Sequence, residues 1–202
     1  DGGASVISID DSLGNISLRA AAHGIAESDI TFKNMIFTSE GNLGIGTNTP
    51  QYNLDVQSFE NLGRLRVQPG AWIQPNAGGF DVDSGVTEYY GSDGNLPLDI
   101  FYNLELTGFG RTYGMAGTVT VNGGLTVDLA TFNASQALNV TGEVEITSGG
   151  AIIAGGNSHT INGSLTGGGE YRNGSSTTTI DGDVTVSSLS STGGGTISVA
   201  GD

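Results

Sequence analysis

The sequence predicts an all-β protein: a right-handed β-helix, or β-solenoid, in the C-terminal half, preceded by a smaller, irregular β region. Three observations predict it. A repeat of 19 to 21 residues runs through the second half, aliphatic residues recur at matched positions within it, and Gly, Ser, Thr and Asn dominate the remainder. The hydrophobic fraction is 36%, below the roughly 45–50% of ordinary globular domains, which suits a thin core.

The repeat is read by aligning the Gly of each hydrophobic-x-Gly step: Gly123, Gly142, Gly163, Gly182 and Gly201, at spacings of 19, 21, 19 and 19. Two residues before each Gly stand Val121, Val140, Ile161, Ile180 and Val199. Two residues after stand Leu125, Val144, Leu165 and Val184. Four residues out the pattern loosens, to Val119, Leu138, His159, Thr178 and Ile197 on one side and Val127, Ile146, Gly167 and Val186 on the other. Polar residues fill the places between, the period of two expected of a strand with one buried face.

Asn122-Gly123, Asn162-Gly163 and Asp181-Gly182 also suit two-residue hairpin turns, which would make an antiparallel meander. Register disfavours the meander: such a turn pairs Val121 with Gly124 and puts Leu125 and Val127 on the face opposite Val119 and Val121. A strand continuing through Gly123, bending at that bare position, keeps all four on one side. One bend per repeat, like stacked on like, is the requirement of a solenoid coil. Four intervals at the strand spacing of about 4.8 Å give a rod section on the order of 20 Å. The last repeat stops at Asp202, so the sequence leaves open a truncated coil or a junction at which another chain supplies a strand, for which residues 4 to 9 have suitable alternation.

The first hundred residues lack the period but carry strand-like runs at Ser5 to Ile9, Ile16 to Leu18, Ile30 to Phe37 and Leu62 to Val67. Residues 19 to 29 hint at a helical turn broken by Gly24. A composition shift near residue 95 predicts two regions, 1–95 and 96–202.

Charge excludes several functions. With 6 Lys and Arg against 21 Asp and Glu, the net charge is −15, which repels nucleic-acid phosphates and weakens any attraction to an anionic membrane. No apolar run reaches the roughly 18 residues of a membrane helix. The chain has no cysteine, which excludes disulfides and thiolate metal sites.

Residues 41 to 56 include Gly44-Ile45-Gly46-Thr47, Pro50 and Leu54-Asp55-Val56; this segment resembles one recurrent in phage tail fibres and large bacterial surface proteins. The stretch from Phe101-Tyr102-Asn103-Leu104 through Thr118 to Gly123 resembles the solenoid repeats of secreted bacterial adhesins. Together the two resemblances imply a structural or adhesive, non-enzymatic module of an extracellular fibre or bacterial surface filament. A phage tail fibre or tailspike module is the alternative. They imply a place at the cell or virion surface, and as partners copies of the chain, neighbouring fibre segments and surface glycans.

Candidate chemistry is sparse. Asp81 and Asp83 with Gly85 and Glu88 offer alternating oxygen ligands around a tight turn, the raw material of a Ca²⁺ loop, although full EF-hand spacing is missing; solvated carboxylates are the competing reading, and Ca²⁺ is the only cofactor suggested. His23 and His159 lack ligand partners nearby in sequence. Glu143 and Glu145 flank inward Val144 about 7 Å apart by strand rise, within the range of an inverting glycosidase, so a carbohydrate-active β-helix enzyme is the second alternative. Trp72, Phe80, Tyr89, Tyr90, Phe101 and Tyr102 suit either a core or a glycan platform. Sequons at Asn15, Asn133, Asn139, Asn162 and Asn173, and the tripeptide Asp11-Ser12-Leu13, carry little weight in a chain so rich in Asn, Ser and Thr.

Overall fold

The computed structural model describes residues 5–10, 15–21, 32–45, 54–56, 63–69, 74–75, 84–96 and 100–201, all strand, turn or loop with no helix among them. The chain divides into two compact units, residues 1–59 with 72–79 and residues 60–71 with 80–202. The second unit therefore takes in Arg64–Val67 and Val86–Tyr89, strands upstream of the composition shift near residue 95.

The first unit is a six-stranded sheet. Ser5–Asp10, Asn15–Ala21, Phe32–Phe37 and Leu43–Ile45 pair antiparallel in succession. Leu43–Ile45 then pairs parallel with Leu54–Val56, Gly44 facing Asp55 and Ile45 facing Val56. Residues 19 to 21 finish a strand rather than beginning a helical turn; residues 22 to 29 lie outside the described residues.

The second unit is a β-solenoid. Each coil lays down three strands that turn through three faces, as in Leu125–Asp128, Thr131–Ala134 and Leu138–Val140. Every strand pairs parallel with its equivalent one coil away. The third face is a six-stranded sheet from Ile100–Phe101 to Thr196–Val199. The first and second faces merge towards the C-terminal end, because Leu165–Asn173 is long enough to pair with both Val144–Ile146 and Ala151–Ala154. A register shift between Gly167 and Glu170 carries that strand around the corner.

The expected columns stack as the repeat requires. Val121, Val140, Ile161, Ile180 and Val199 are successive register partners on the third face, and Leu125, Val144, Leu165 and Val184 on the first. All but the two in the last coil are fully buried. The second face adds an aromatic-rich column that the repeat did not announce, Tyr113, Phe132, Ile152 and Tyr171, also fully buried. Tyr89 and Phe101 meet edge to face at 6.1 Å, placing both in the solenoid core. Trp72 and Phe80 lie outside the described residues.

The glycines act differently from expectation. The strand does not run on through Gly123; it stops at Val121 and resumes at Leu125 on another face. Gly123 sits in the corner between them, against its neighbouring coil instead of over the core. A Cβ on Gly142 would stand 2.7 Å from the carbonyl oxygen of Gly123, and one on Gly201 would stand 2.5 Å from the carbonyl carbon of Gly182. Backbone hydrogen bonds run up this column, from Gly123 N to Tyr102 O and from Gly142 N to Gly123 O. The repeat keeps Gly there because corners stacked at strand spacing leave no room for a side chain.

Polar residues interrupt the core near its C-terminal end. Asn173, Ser176 and Thr178 are fully buried. The Asn173 amide donates to the carbonyls of Ser176 and Thr196, while its own oxygen accepts from Ser176 and Thr178. The Tyr171 hydroxyl reaches Thr178 at 3.0 Å. Fully buried, Asn173 cannot carry a glycan, which removes one sequon. One coil below Thr178, His159 is 1% exposed and neither ring nitrogen has a hydrogen-bond partner. Burial pushes its pKa down to about 4, so the fold holds a neutral imidazole.

Two outcomes follow. Gly142→Ala pushes a methyl group into backbone and should cost about 1–3 kcal/mol in urea unfolding. Gly117→Ala, with nothing within 4 Å of its Cβ, should change stability by less than about 0.5 kcal/mol. For His159, the unfolded imidazole takes up a proton near pH 6.5 and the folded one only near 4. Its contribution is complete above pH 6.5 and is lost as pH falls towards 4, by roughly 3 kcal/mol at most. His159→Leu should flatten that part of the stability-against-pH curve relative to the parent, and parallel curves would contradict it.

Candidate functional site

Among the described residues the densest charged cluster lies on the outer surface of the first face, over the first coils. Strand alternation turns Arg64 and Arg66 outward, and register sets Arg66 beside Glu88 and Glu88 beside Glu105 on successive coils. Two carboxylates one coil apart repel, and guanidinium groups offset this. Arg66 grips both Glu88 oxygens at 2.9 and 3.0 Å, and Arg64 bridges Glu88 and Glu105. Thr107 donates to Glu88 at 3.1 Å, and the Arg66 guanidinium lies 4.2 Å over the Tyr90 ring. Burial acts to raise the Glu88 pKa, but the bonds from Arg66, Arg64 and Thr107 outweigh it and hold the carboxyl below its usual range.

This bears on the proposed calcium loop. Of Asp81, Asp83 and Glu88, the first two lie outside the described residues, and the third has both oxygens engaged by arginine. A cation at Glu88 would have to displace guanidinium groups. Among the described residues no three His, Asp or Glu side chains are grouped to hold a metal. The sequence signal for the cluster was present but unread: Arg64 and Arg66 are two of only 6 basic residues and alternate within one strand.

The corner between the first and second faces carries the other notable surface. Phe109 is 88% exposed, held between Gly108 and Gly110, both at positive φ. On the next coil Leu129 is half-exposed and takes φ 56°, a left-handed conformation rare for a non-glycine residue. Thr147 stabilises that corner, donating to Asp128 at 2.6 Å and accepting from Leu129 N at 3.2 Å. Towards the C-terminal end the corner opens into a shallow groove of about 450 Å³ bordered by Thr131, Ala151, Glu170, Arg172, Ser187 and Ser188, with glycines along its floor. Glu170 and Arg172 pair with each other. The groove offers hydroxyls and one ion pair to a polar ligand, and no paired acid and base.

The remaining candidates are dispersed. Glu143 and Glu145 are both exposed, flanking fully buried Val144 as expected. Neither borders the groove, and Glu143 accepts from the Thr166 hydroxyl at 2.5 Å. His159 is inside the core, and His23 lies outside the described residues.

Glu88→Gln keeps the shape and removes the charge that holds Arg64 and Arg66. It should lower stability by about 1–3 kcal/mol at neutral pH. Because the folded pKa is depressed, the parent's advantage is present above the ordinary carboxyl range and is lost as pH falls through the folded pKa. Chemical unfolding of both proteins from pH 7 to 3 should show the two curves converging in acid.

Compared with known proteins, the chain matches no family model, no curated protein and no solved structure.

Proposed function

We propose that this chain is a non-enzymatic structural or adhesive module of an extended extracellular fibre or bacterial surface filament, with a phage tail fibre or tailspike module as the alternative setting. The observation that carries the reading is the uninterrupted stack of coils: the third face alone runs through six strands, each pairing only with its equivalents above and below. Such an array lengthens by adding coils without altering those already made. The acidic surface supports exposure to solvent without self-precipitation. The hydroxyls and the Glu170–Arg172 pair that border the corner groove support glycans as surface partners, alongside further fibre segments.

The competing enzyme would use Glu143 and Glu145. On the structural reading the purified chain releases no reducing ends from acidic polysaccharides, and Glu143→Gln and Glu145→Gln each shift unfolding by less than about 0.5 kcal/mol. Cleavage abolished by either substitution would overturn it.

A further inference from the structure

Strand alternation turns every second residue of the solenoid outward, and the outward residues differ from face to face. On the third face the outward register column is Thr120, Asn139, Thr160, Thr179 and Ser198. Two residues before these stand Thr118, Ala137, Ser158, Thr177 and Thr196, the last two being register partners in turn. All are small, uncharged and open to solvent, fully or in part. The first face instead carries Glu88, Glu105, Asp128 and Glu145. In a chain of net charge −15, the third-face segments 116–122, 135–141, 156–162, 175–181 and 194–200 hold a single Asp, Glu, Lys or Arg, which is Asp181.

Two further features mark this face. Among the described residues no hydrogen bond occupies the side chains of Thr118, Thr120, Asn139, Thr160, Thr177 or Thr179, whereas Thr107, Thr147 and Thr166 are committed to carboxylates elsewhere on the coils. The strands of the third face also pair without a register shift from Ile100 to Val199, while the merged first and second faces bulge between Gly167 and Glu170. The outward hydroxyls therefore form a net with two periods, about 4.8 Å from coil to coil and about 6.7 Å along each strand. Threonine is stiff at χ1, so most of the net is fixed before anything binds and loses little freedom on binding.

We propose that the outward side of the third face binds the surface of an ice crystal. Water bonded tetrahedrally at an O···O distance of about 2.75 Å repeats every ~4.5 Å within a layer and every ~7.3 Å across layers. Both periods of the hydroxyl net lie within about a tenth of these values. Charge would spoil the fit, because a carboxylate holds its own hydration shell and loses free energy on shedding it. That gives a physical reason for carboxylates to crowd the first face and leave the third. A crystalline polysaccharide fits less well: the third-face strands from Val119 to Val199 contain no Phe, Tyr or Trp to stack on a sugar ring. The inference goes beyond the fibre reading and needs only the stacked coils.

Nanolitre osmometry of the 202-residue chain should show a gap between the melting and freezing points of ice that widens with protein concentration, and crystals shaped into facets. Thr160→Tyr and Thr120→Tyr, made separately, each raise a ring above the net at an outward strand position that accepts one. Each should abolish the gap with an unchanged far-ultraviolet spectrum. Thr126→Tyr, outward on the first face, should keep the parent's gap. A parent with neither gap nor faceting, a gap that survives both third-face variants, or one lost equally in Thr126→Tyr would overturn the proposal, as would retention on crystalline cellulose or chitin without any effect on ice. None of these outcomes touches the fibre reading, which polysaccharide cleavage would sink.

Discussion

Parallel coils stacked at about 4.8 Å permit only what fits between identical backbones directly above and below, and the rest of this solenoid is an accommodation to that spacing. Inward positions must repeat apolar residues of similar bulk, since each side chain packs on its equivalents in the neighbouring coils. Corners must shed side chains where carbonyls of successive coils converge, which makes Gly142 and Gly163 as necessary as Val140 and Ile161. The period varies between 19 and 21 residues because the extra residues fall in corners, as the paired strands stay in register from Val119 to Val199.

The same spacing governs charge. Outward positions one coil apart are close enough for like charges to repel, yet acidic residues outnumber basic ones more than threefold. The first face resolves this by alternation: Glu105, Thr126, Glu145 and Thr166 are successive partners, so the carboxylates stand two coils apart, about one Debye length at ordinary salt. Where alternation fails, at Glu88 and Glu105, Arg64 spans the two. Two of the few arginines are thus spent on the only stacked pair of glutamates along this column, and the cluster is explained as structure before any ligand is invoked.

The sequence made legible what depends on period and alternation. Nine aliphatic positions named from spacing alone form the two expected columns, because both signals follow directly from strand geometry. The three-faced coil was not legible: a corner at Asn122-Gly123-Gly124 and a strand bent through one bare residue leave the same spacing. The coils upstream of residue 95 were missed, since Arg64–Val67 and Val86–Tyr89 stack beneath Asn103–Thr107 without the hydrophobic-x-Gly step. His159 was placed at an inward position by the spacing and is there, whereas Asn173 was not, because a polar residue outside the aligned columns declares itself only by what it touches. Of the candidate Ca²⁺ ligands, Glu88 has its arginine partners 22 and 24 residues upstream, a distance that only coil stacking closes.

Stability in such an array is close to a sum of coils and the contacts between them, so opening proceeds most readily from an end, where a coil has one neighbour instead of two. The buried network of Asn173, Ser176 and Thr178 stands just inside the C-terminal edge and reaches it through Thr196. An inner coil could use an aliphatic residue at each of those places, as Val119 and Leu138 do in the column that Thr178 continues. Asn173 instead ties the last two coils together by directional bonds, which hold register where apolar packing has begun to thin. The Asn173 network therefore fixes register between the last two described coils by directional bonds, whereas His159, with a coil on either side of it, is held by packing alone.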